Sequence, residues 1–358
     1  MAEPQLKTSH PDGNEAAAIP VASRVLGLDI GGTASRALLC AGSRIVAESR
    51  AASASVPAAG LDGATAALAE LLASLPLDPA RPLDAVCAGS AGLSVPGARE
   101  FLTEALAPLT RPGRLVIVSD AMLVLPAAGV DDGVAMICGT GSIAVGVCGG
   151  RSVQAGGWGY LLGDEGSGYW IVREALRELL ARRDRSASPG ELGVQLLRAT
   201  AAADLGELHR RYLEQPHRPR HWAQYAESVL ASTDPAATRI RARAGQAVAT
   251  LAAGALAQLA APPAQRAGEQ FAREASAPAN RVSAGRQGQS APLGVLPGLP
   301  VVLGGGLFAS EAFVTAAREA LRERLPQSAV SVLTEEPVTG AVRLAARAAA
   351  SAGGGQPY

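Results

Sequence analysis

The feature that most constrains the fold is a pattern of strand, glycine turn and strand that occurs twice. The two copies are residues 25–40, around Gly31-Gly32-Thr33, and residues 133–147, around Gly139-Thr140-Gly141-Ser142. Short apolar runs on either side of a glycine turn are typical of a β-hairpin. The copies are about 110 residues apart, which indicates a weak internal duplication. We therefore predict two similar domains that face each other.

The length and charge of the chain exclude several classes of function. A chain of 358 residues is long enough for about two domains with separate cores. Lys plus Arg and Asp plus Glu both number 32, and aromatic residues make up 3%. Because the chain has neither an excess of basic residues nor many aromatic residues that could stack on bases, we expect neither a nucleic acid nor a membrane as partner. Residues 1–21 contain no apolar run of signal-peptide length, so we expect a soluble cytoplasmic protein.

The remaining composition suggests a domain plan. We predict a disordered leader at 1–22, an N-terminal domain at 23–129 and a C-terminal domain at 130–337. The second domain contains a low-complexity insertion at 262–300, rich in Pro, Gly, Ser and Gln. A final helix at 338–351 is expected to pack back on the first domain. The four cysteines are scattered without metal-ligand spacing, which favours buried thiols.

The glycine turns are candidate phosphate sites. Gly, Ser and Thr allow backbone N–H groups to approach a polyphosphate closely, because no Cβ intervenes. An ordinary hairpin turn is the alternative for each turn alone. Neither turn has the P-loop or the dinucleotide-binding spacing. The candidates are Gly31, Gly32, Thr33, Gly139, Thr140 and Gly141.

Two carboxylates accompany these turns. Asp29 directly precedes the first turn, where Mg²⁺ would offset its repulsion from phosphates; it could instead cap the turn. Asp120 follows the predicted strand 115–118, at the end that opens on the interdomain cleft. A carboxylate there can accept the proton of a hydroxyl that is being phosphorylated, or can act as a helix N-cap.

Residues 156–167, G-G-W-G-Y-L-L-G-D-E-G-S, form the most distinctive segment. Its glycines disfavour both helix and strand, so we predict a shaped loop. Such a loop can present donors and the Trp158 ring to a polyhydroxyl ligand. Asp164 and Glu165 can alternatively cap the next helix. Gly304-Gly305-Gly306 follows a predicted strand and suits the approach of an adenine, or a plain strand-to-helix turn.

In this order, the five segments D-I-G-G-T, S-D-A, G-T-G-S, G-G-W-G-x-x-x-G-D-E-G-S and L-G-G-G-L resemble the N-acetylglucosamine kinase and glucosamine kinase group. This group belongs to the BadF/BadG/BcrA/BcrD-type ATPases of the actin-like sugar kinase superfamily. The resemblance implies an α/β fold with two actin-like (ribonuclease H-like) domains and a central cleft. It also implies ATP and Mg²⁺ as cofactors and a small-molecule amino sugar as partner, with a homodimer left open.

By the same resemblance, Asp120 is the general base on the 6-hydroxyl of N-acetylglucosamine. Thr33, Gly139 and Thr140 contact the ATP phosphates, and Gly304, Gly305 and Gly306 border the adenosine. The residues that line the sugar site are Ser142, Gly157, Trp158, Gly159 and Asp164.

The resemblance leaves other substrates and activities open. Animal members carry an Asn after each turn, whereas this chain has no Asn at 34–36 or 51–53 and has Ile143 after the second turn. Glucosamine and N-acetylmuramic acid are therefore alternative substrates. An activator ATPase of acyl-CoA reductases or dehydratases, which holds an iron–sulfur cluster, and a non-catalytic sugar sensor are the alternatives outside sugar phosphorylation.

Overall fold

The computed structural model describes residues 23–215, 218–261 and 298–351. The predicted leader, 1–22, and residues 262–297 of the predicted insertion lie outside the described residues. The described chain forms two five-stranded sheets with helices against them.

The first sheet has the strand order β3-β2-β1-β4-β5. Its three antiparallel strands come first, and β1, β4 and β5 then run parallel. The strands are β1 (Arg24–Ile30), β2 (Ala34–Ala41), β3 (Arg44–Ala52), β4 (Ala85–Ser90) and β5 (Leu115–Ser119). Because β1, β4 and β5 are parallel, their carboxyl ends meet at one edge, and this edge opens toward the first glycine turn.

The second sheet repeats this topology in the order β8-β7-β6-β9-β10, with β6, β7 and β8 antiparallel and β6, β9 and β10 parallel. The strands are β6 (Gly133–Cys138), β7 (Ser142–Cys148), β8 (Arg151–Gly156), β9 (Val301–Gly304) and β10 (Val330–Val332). The predicted α/β duplication is thus confirmed. Strand β8 was not predicted, because its sequence R-S-V-Q-A-G is a half-exposed edge strand with little apolar alternation.

The helices cover the faces of these sheets. They are α1 (Val56–Ala73), α2 (Ala98–Leu106), α3 (Val124–Ala127), α4 (Gly168–Asp184), α5 (Gly190–Thr200), α6 (Leu205–Glu214), α7 (Pro219–Ala223), α8 (Ala226–Leu230), α9 (Pro235–Ala260), α10 (Glu311–Arg324) and α11 (Pro337–Ala350). A 3₁₀ turn, Asp120–Leu123, connects β5 to α3. The second core lies among the C-terminal sheet, α4, α9 and α10, where Ile171, Val248 and Phe313 are buried.

Helix α1 begins earlier than the sequence predicts. Its first turn starts after Ser55 and carries Pro57, and Gly60 breaks the helical geometry with φ 71°. The spacing of Leu68, Leu71 and Leu75 before Pro76 predicts a helix over residues 63–75 only. This is the segment that follows the kink, since Gly and Pro are poor helix formers and hide the first turn from a sequence-based prediction. Within the described ranges α1 has the length and mean hydropathy of a helix that could cross a membrane, and its Ala64, Leu68 and Leu71 are buried.

Helix α11 returns from the end of the chain to the first sheet. It contributes Val338, Val342 and Leu344 to a core shared with Val25 and Cys87. Two glycines allow the close approach. A Cβ at Gly27 on β1 would lie 2.5 Å from the Val342 nitrogen, and a Cβ at Gly340 would overlap the Leu123 carbonyl oxygen. The 3₁₀ turn that begins with Asp120 is therefore held between β1 and α11.

We predict that Gly340→Ala lowers the free energy of unfolding by about 3 kcal/mol, because the added methyl group must displace backbone rather than a flexible side chain. Gly254→Ala is the matched control. Gly254 lies within α9, and a Cβ there meets the Ala155 methyl group at an ordinary 3.4 Å. The control should gain roughly 0.5–1 kcal/mol from helix propensity. Urea denaturation measures both, and equal effects would refute the close packing of α11.

Candidate active site

The first glycine turn is open on its outer side. The Gly31 nitrogen donates to the Ala34 carbonyl oxygen at 3.1 Å, and the Ser53 hydroxyl donates to the Gly31 carbonyl oxygen at 2.7 Å. Gly32 and Thr33 are exposed, and a Cβ built on Gly32 meets nothing within 4 Å. Hydrogen bonds at Gly31 therefore hold the backbone of the turn, and the exposed side of the turn at Gly32 has space for a polyanion. Ser53 helps to hold the first turn, and nothing in the sequence around Ser53 predicts this contact.

The second turn is fixed in a similar way. The Gly139 nitrogen donates to the Gly141 carbonyl oxygen at 2.9 Å, and the Gly139 carbonyl oxygen accepts from the Gly168 nitrogen at 2.8 Å. A Cβ on Gly141 would lie 2.9 Å from the Asp164 carboxylate. Gly141 must therefore be glycine for the turn to pack against Asp164.

The loop 156–167 owes its shape to residues in left-handed backbone conformations. Gly156, Gly157, Gly159 and Gly166 have φ values of 76°, 73°, 81° and 80°. A non-glycine side chain is strained there, which explains the glycine spacing. Asp164 adopts φ 59° although it is not glycine.

Asp164 connects this loop to the second turn. Its Oδ1 accepts from the Ser142 nitrogen at 3.2 Å, and the Ser142 hydroxyl donates to the Glu165 carbonyl oxygen at 2.8 Å. Asp164 is 9% exposed, and burial raises its pKa although the Ser142 hydrogen bond opposes the shift. The N-cap of α4 is Ser167, whose hydroxyl accepts from the Trp170 nitrogen. Asp164 and Glu165 therefore hold the loop and do not cap this helix through their side chains.

The tip of the loop is apolar and exposed. Trp158 is 70% exposed, Leu161 77% and Leu162 86%. Gly157 and Gly159 stand on either side of Trp158 in the chain, and the Gly157 nitrogen donates to the Ser142 carbonyl oxygen at 3.0 Å. An indole presented in this manner can stack on the apolar face of a sugar ring.

The third glycine segment contacts the base of the second turn. Gly304 ends β9 beside Ile137, and Gly305 has φ 100°. A Cβ on Gly305 would overlap the Cys138 carbonyl oxygen, whereas Gly306 has open space beside it. Gly304 is buried, whereas Gly305 and Gly306 are exposed and present backbone without side chains next to Cys138, the residue before the Gly139–Gly141 turn.

The two predicted carboxylates stand at the carboxyl ends of parallel strands in the first sheet. Asp29 lies near the end of β1, and Asp120 follows β5. Burial raises the pKa of Asp29 to about 7, the Asp120 charge adds to this, Arg36 opposes it and Glu336 adds a smaller rise. Arg36 and Arg50 form ion pairs with Glu336.

Asp120 is held by local hydrogen bonds. Its Oδ1 accepts from the Ala121 nitrogen at 2.9 Å and from the Ser119 hydroxyl at 3.2 Å. Burial raises the pKa of Asp120, and these hydrogen bonds partly offset the rise. These hydrogen bonds orient the Asp120 carboxylate. Arg36 forms its ion pair with Glu336 and not with Asp120.

The paired carboxylates fit a divalent cation. The Asp120 charge raises the pKa of Asp29, and a cation between these carboxylates and a bound phosphate would reduce that energetic cost. Mg²⁺ is commonly held by one or two carboxylates together with phosphate oxygens. Among residues 23–215, 218–261 and 298–351, no cluster of three or more His, Cys, Asp or Glu side chains could hold a metal. Asp29 is the carboxylate nearer the first turn.

One polar contact at the first turn could not be predicted from the sequence. Arg220, in α7 of the second domain, donates from Nη1 to the Gly32 carbonyl oxygen at 2.9 Å. The two residues are 188 positions apart. Neither residue type nor spacing could have revealed the pair.

We predict that Asp29→Asn raises the melting temperature more at pH 8 than at pH 5. The folded-state pKa of about 7 exceeds the ordinary value of 3.8, so the wild type loses stability as pH rises from about 4 to about 7. Asn carries no charge, so the stability of the variant does not fall in this way as the pH rises. Between pH 5 and 8 the change in melting temperature on substitution should increase by about 5 °C. The exposed Asp62→Asn serves as control. Scanning fluorimetry in EDTA measures both, and a pH-independent difference would contradict the shift.

Two curated relatives match parts of the chain. The N-acetylmuramic acid/N-acetylglucosamine kinase of Clostridium acetobutylicum is 38% identical over 104 residues, 28% of this chain and 34% of that protein. The N-acetyl-D-glucosamine kinase of Dictyostelium discoideum is 52% identical over 54 residues, 15% of this chain and 17% of that protein. The matched segments span about a third or less of these relatives' own lengths.

Comparison with solved structures and with families covers far more of the chain. A Chromobacterium violaceum structure, provisionally described as an N-acetylglucosamine kinase, shares the fold with a TM-score of 0.62. It is 23% identical, and the match covers 91% of this chain and all of that one. This confirms the predicted two-domain α/β fold of the actin-like type. The BadF/BadG/BcrA/BcrD ATPase family matches residues 26–345. The chain belongs to the BadF/BadG/BcrA/BcrD ATPase family.

Proposed function

We propose that this protein transfers the γ-phosphoryl group of ATP to the 6-hydroxyl of N-acetylglucosamine. The observation that carries the proposal is the hydrogen-bonded connection between the second glycine turn and the loop 156–167. Ser142 donates to Glu165 and accepts, through its own carbonyl oxygen, from Gly157, while its nitrogen donates to Asp164. A phosphate-binding turn and a candidate sugar-binding loop are therefore one rigid unit.

In this proposal the two turns bind the phosphates through backbone donors. Gly31, Gly32 and Thr33 receive them from one domain, and Gly139, Thr140 and Gly141 from the other. The backbone of Gly304, Gly305 and Gly306 borders the adenosine. Asp29 holds Mg²⁺, which would offset the phosphate charge when bound. Family membership supports ATP as the nucleotide.

Asp120 is the proposed general base. It accepts the proton of the sugar 6-hydroxyl as the new oxygen–phosphorus bond forms. Its raised pKa makes it a better proton acceptor than an exposed carboxylate, since basicity rises with pKa. The hydrogen bonds from Ser119 and Ala121 fix the direction from which it accepts.

The sugar lies, in this proposal, against Trp158 with Gly157 and Gly159 at its edge. Ser142 and Asp164 act by shaping this site, since their polar atoms already bond to the loop and turn. The names of the two curated relatives favour an N-acetylated amino sugar over glucosamine. N-acetylmuramic acid stays an alternative because the Clostridium relative is named for both sugars. The cytoplasm is the proposed location, and a homodimer is left open.

The cysteines do not favour an iron–sulfur activator. Cys87 and Cys138 lie inside strands β4 and β6 and are fully buried, and burial raises the pKa of both thiols. A cluster held between two subunits needs ligands at the protein surface, whereas these buried positions suit packing.

We predict that Asp120→Asn lowers kcat by roughly 10²- to 10⁴-fold, the usual contribution of a positioned base. The affinity for sugar, measured by calorimetry, should stay close to that of the wild type because Asn is nearly isosteric. Asp62→Asn, on an exposed face of α1, should match the wild type. A coupled ADP-release assay provides kcat, and full turnover by Asp120→Asn would overturn the role of Asp120.

We predict that Trp158→Ala raises the KM for N-acetylglucosamine by roughly 5- to 100-fold, the equivalent of about 1–3 kcal/mol of lost stacking, and leaves the KM for ATP unchanged. Leu162→Ala is the matched control, because this residue lies in the same loop and is more exposed. A panel of N-acetylglucosamine, glucosamine, N-acetylmuramic acid, N-acetylmannosamine and glucose identifies the preferred sugar. A glucosamine preference would correct the proposed substrate.

A further inference from the structure

Helix α7 of the second domain contacts the first glycine turn and a residue that is hydrogen-bonded to the second. At one end, Arg220 donates to the Gly32 carbonyl oxygen in the first turn. At the other end, Ala223 packs on Gly168, where an added Cβ would be 3.1 Å from both the Ala223 methyl group and the Gly139 carbonyl oxygen. The Gly168 nitrogen donates to that oxygen, so α7 connects the two turns through Gly168.

The hydrogen bond to Gly32 uses little of the capacity of Arg220. A guanidinium has five N–H donors in a planar fork, and Nη1 alone contacts the Gly32 oxygen. Arg220 is exposed, and the space beside the Gly32 backbone is open. The remaining donors are available to oxygen atoms of an anion held at this turn, the bidentate geometry that arginine prefers with phosphate.

A triphosphate bound at the two turns would be stabilised by a nearby cation. Asp29, Asp120 and Asp164 are acidic and largely shielded from water, and a triphosphate adds further negative charge. The chain has a single lysine, Lys7, which lies outside the described residues. Arg36 is already paired with Glu336. Arg220, by contrast, donates to the backbone of a phosphate turn.

We propose that Arg220 contacts the transferring phosphate and stabilises its charge during the reaction, an inference that rests on the function proposed above. The bond between the γ-phosphorus and the β–γ bridging oxygen breaks, and a bond forms between that phosphorus and the sugar 6-oxygen. The hydroxyl proton passes to Asp120, and ADP departs with the bridging oxygen. Arg220 gives up no proton and supplies fixed positive charge to the equatorial and leaving oxygens.

Kinetics and chemical rescue test this role. Arg220→Ala should lower kcat by roughly 10²- to 10³-fold, with a smaller change in KM for the sugar. Arg220→Lys should recover part of the loss, because a point charge remains without the fork. Guanidinium ion at millimolar concentration should raise kcat of Arg220→Ala and leave the lowered kcat of Asp120→Asn unchanged. Arg218→Ala, two residues earlier, should behave as the wild type.

A purely structural contact between the domains gives a different result. Arg220→Ala would then lower the melting temperature or weaken ATP binding while kcat at saturation stays at the wild-type level, and guanidinium would rescue nothing. That outcome overturns the inference and leaves the proposed function intact. If the wild type itself releases no ADP with any amino sugar, the proposed function has failed and the role of Arg220 fails with it.

Discussion

The rest of the structure depends on the placement of two carboxylates, Asp29 and Asp120, close together and partly shielded from water. Parallel pairing of β1, β4 and β5 brings the carboxyl ends of these strands to one edge, and both carboxylates stand there. Burial and mutual repulsion raise the pKa of Asp29. Like charges in such a position are costly to maintain unless a cation or a proton joins them. The pair therefore favours a bound cation such as Mg²⁺, and the raised pKa of Asp120 makes it a better proton acceptor than an exposed carboxylate.

The frame that holds this pair is built from close backbone contacts. Gly27 and Gly340 let α11 approach β1 and the 3₁₀ turn of Asp120, so that α11 supports the edge of the first sheet where Asp120 stands. The repeated sheet topology then supplies a second glycine turn in the other domain. Gly141, Gly168 and Gly305 pack this turn against the loop 156–167, helix α4 and the third glycine segment. The segments proposed to bind nucleotide, phosphate and sugar are thereby in contact with one another.

Much of this arrangement follows from local sequence rules. Apolar runs around glycine turns predicted both hairpins, and the glycines of 156–167 predicted a shaped loop, which the left-handed conformations of Gly156, Gly157 and Gly159 explain. Long-range contacts were not predictable. Sequence could not reveal that Asp164 bonds behind the second turn, or that Arg220 reaches Gly32, because those contacts depend on how separate elements pack. The roles of the individual site residues and the domain boundaries stay predictions.

The most direct test of the account is a crystal structure of the Asp120→Asn variant with N-acetylglucosamine, Mg²⁺ and a non-hydrolysable ATP analogue. The account predicts that the sugar 6-hydroxyl lies within hydrogen-bond distance of residue 120 and in line with the γ-phosphorus. It also predicts the metal on the Asp29 side of the phosphates. A sugar bound away from residue 120, or phosphates bound away from the two glycine turns, would contradict it.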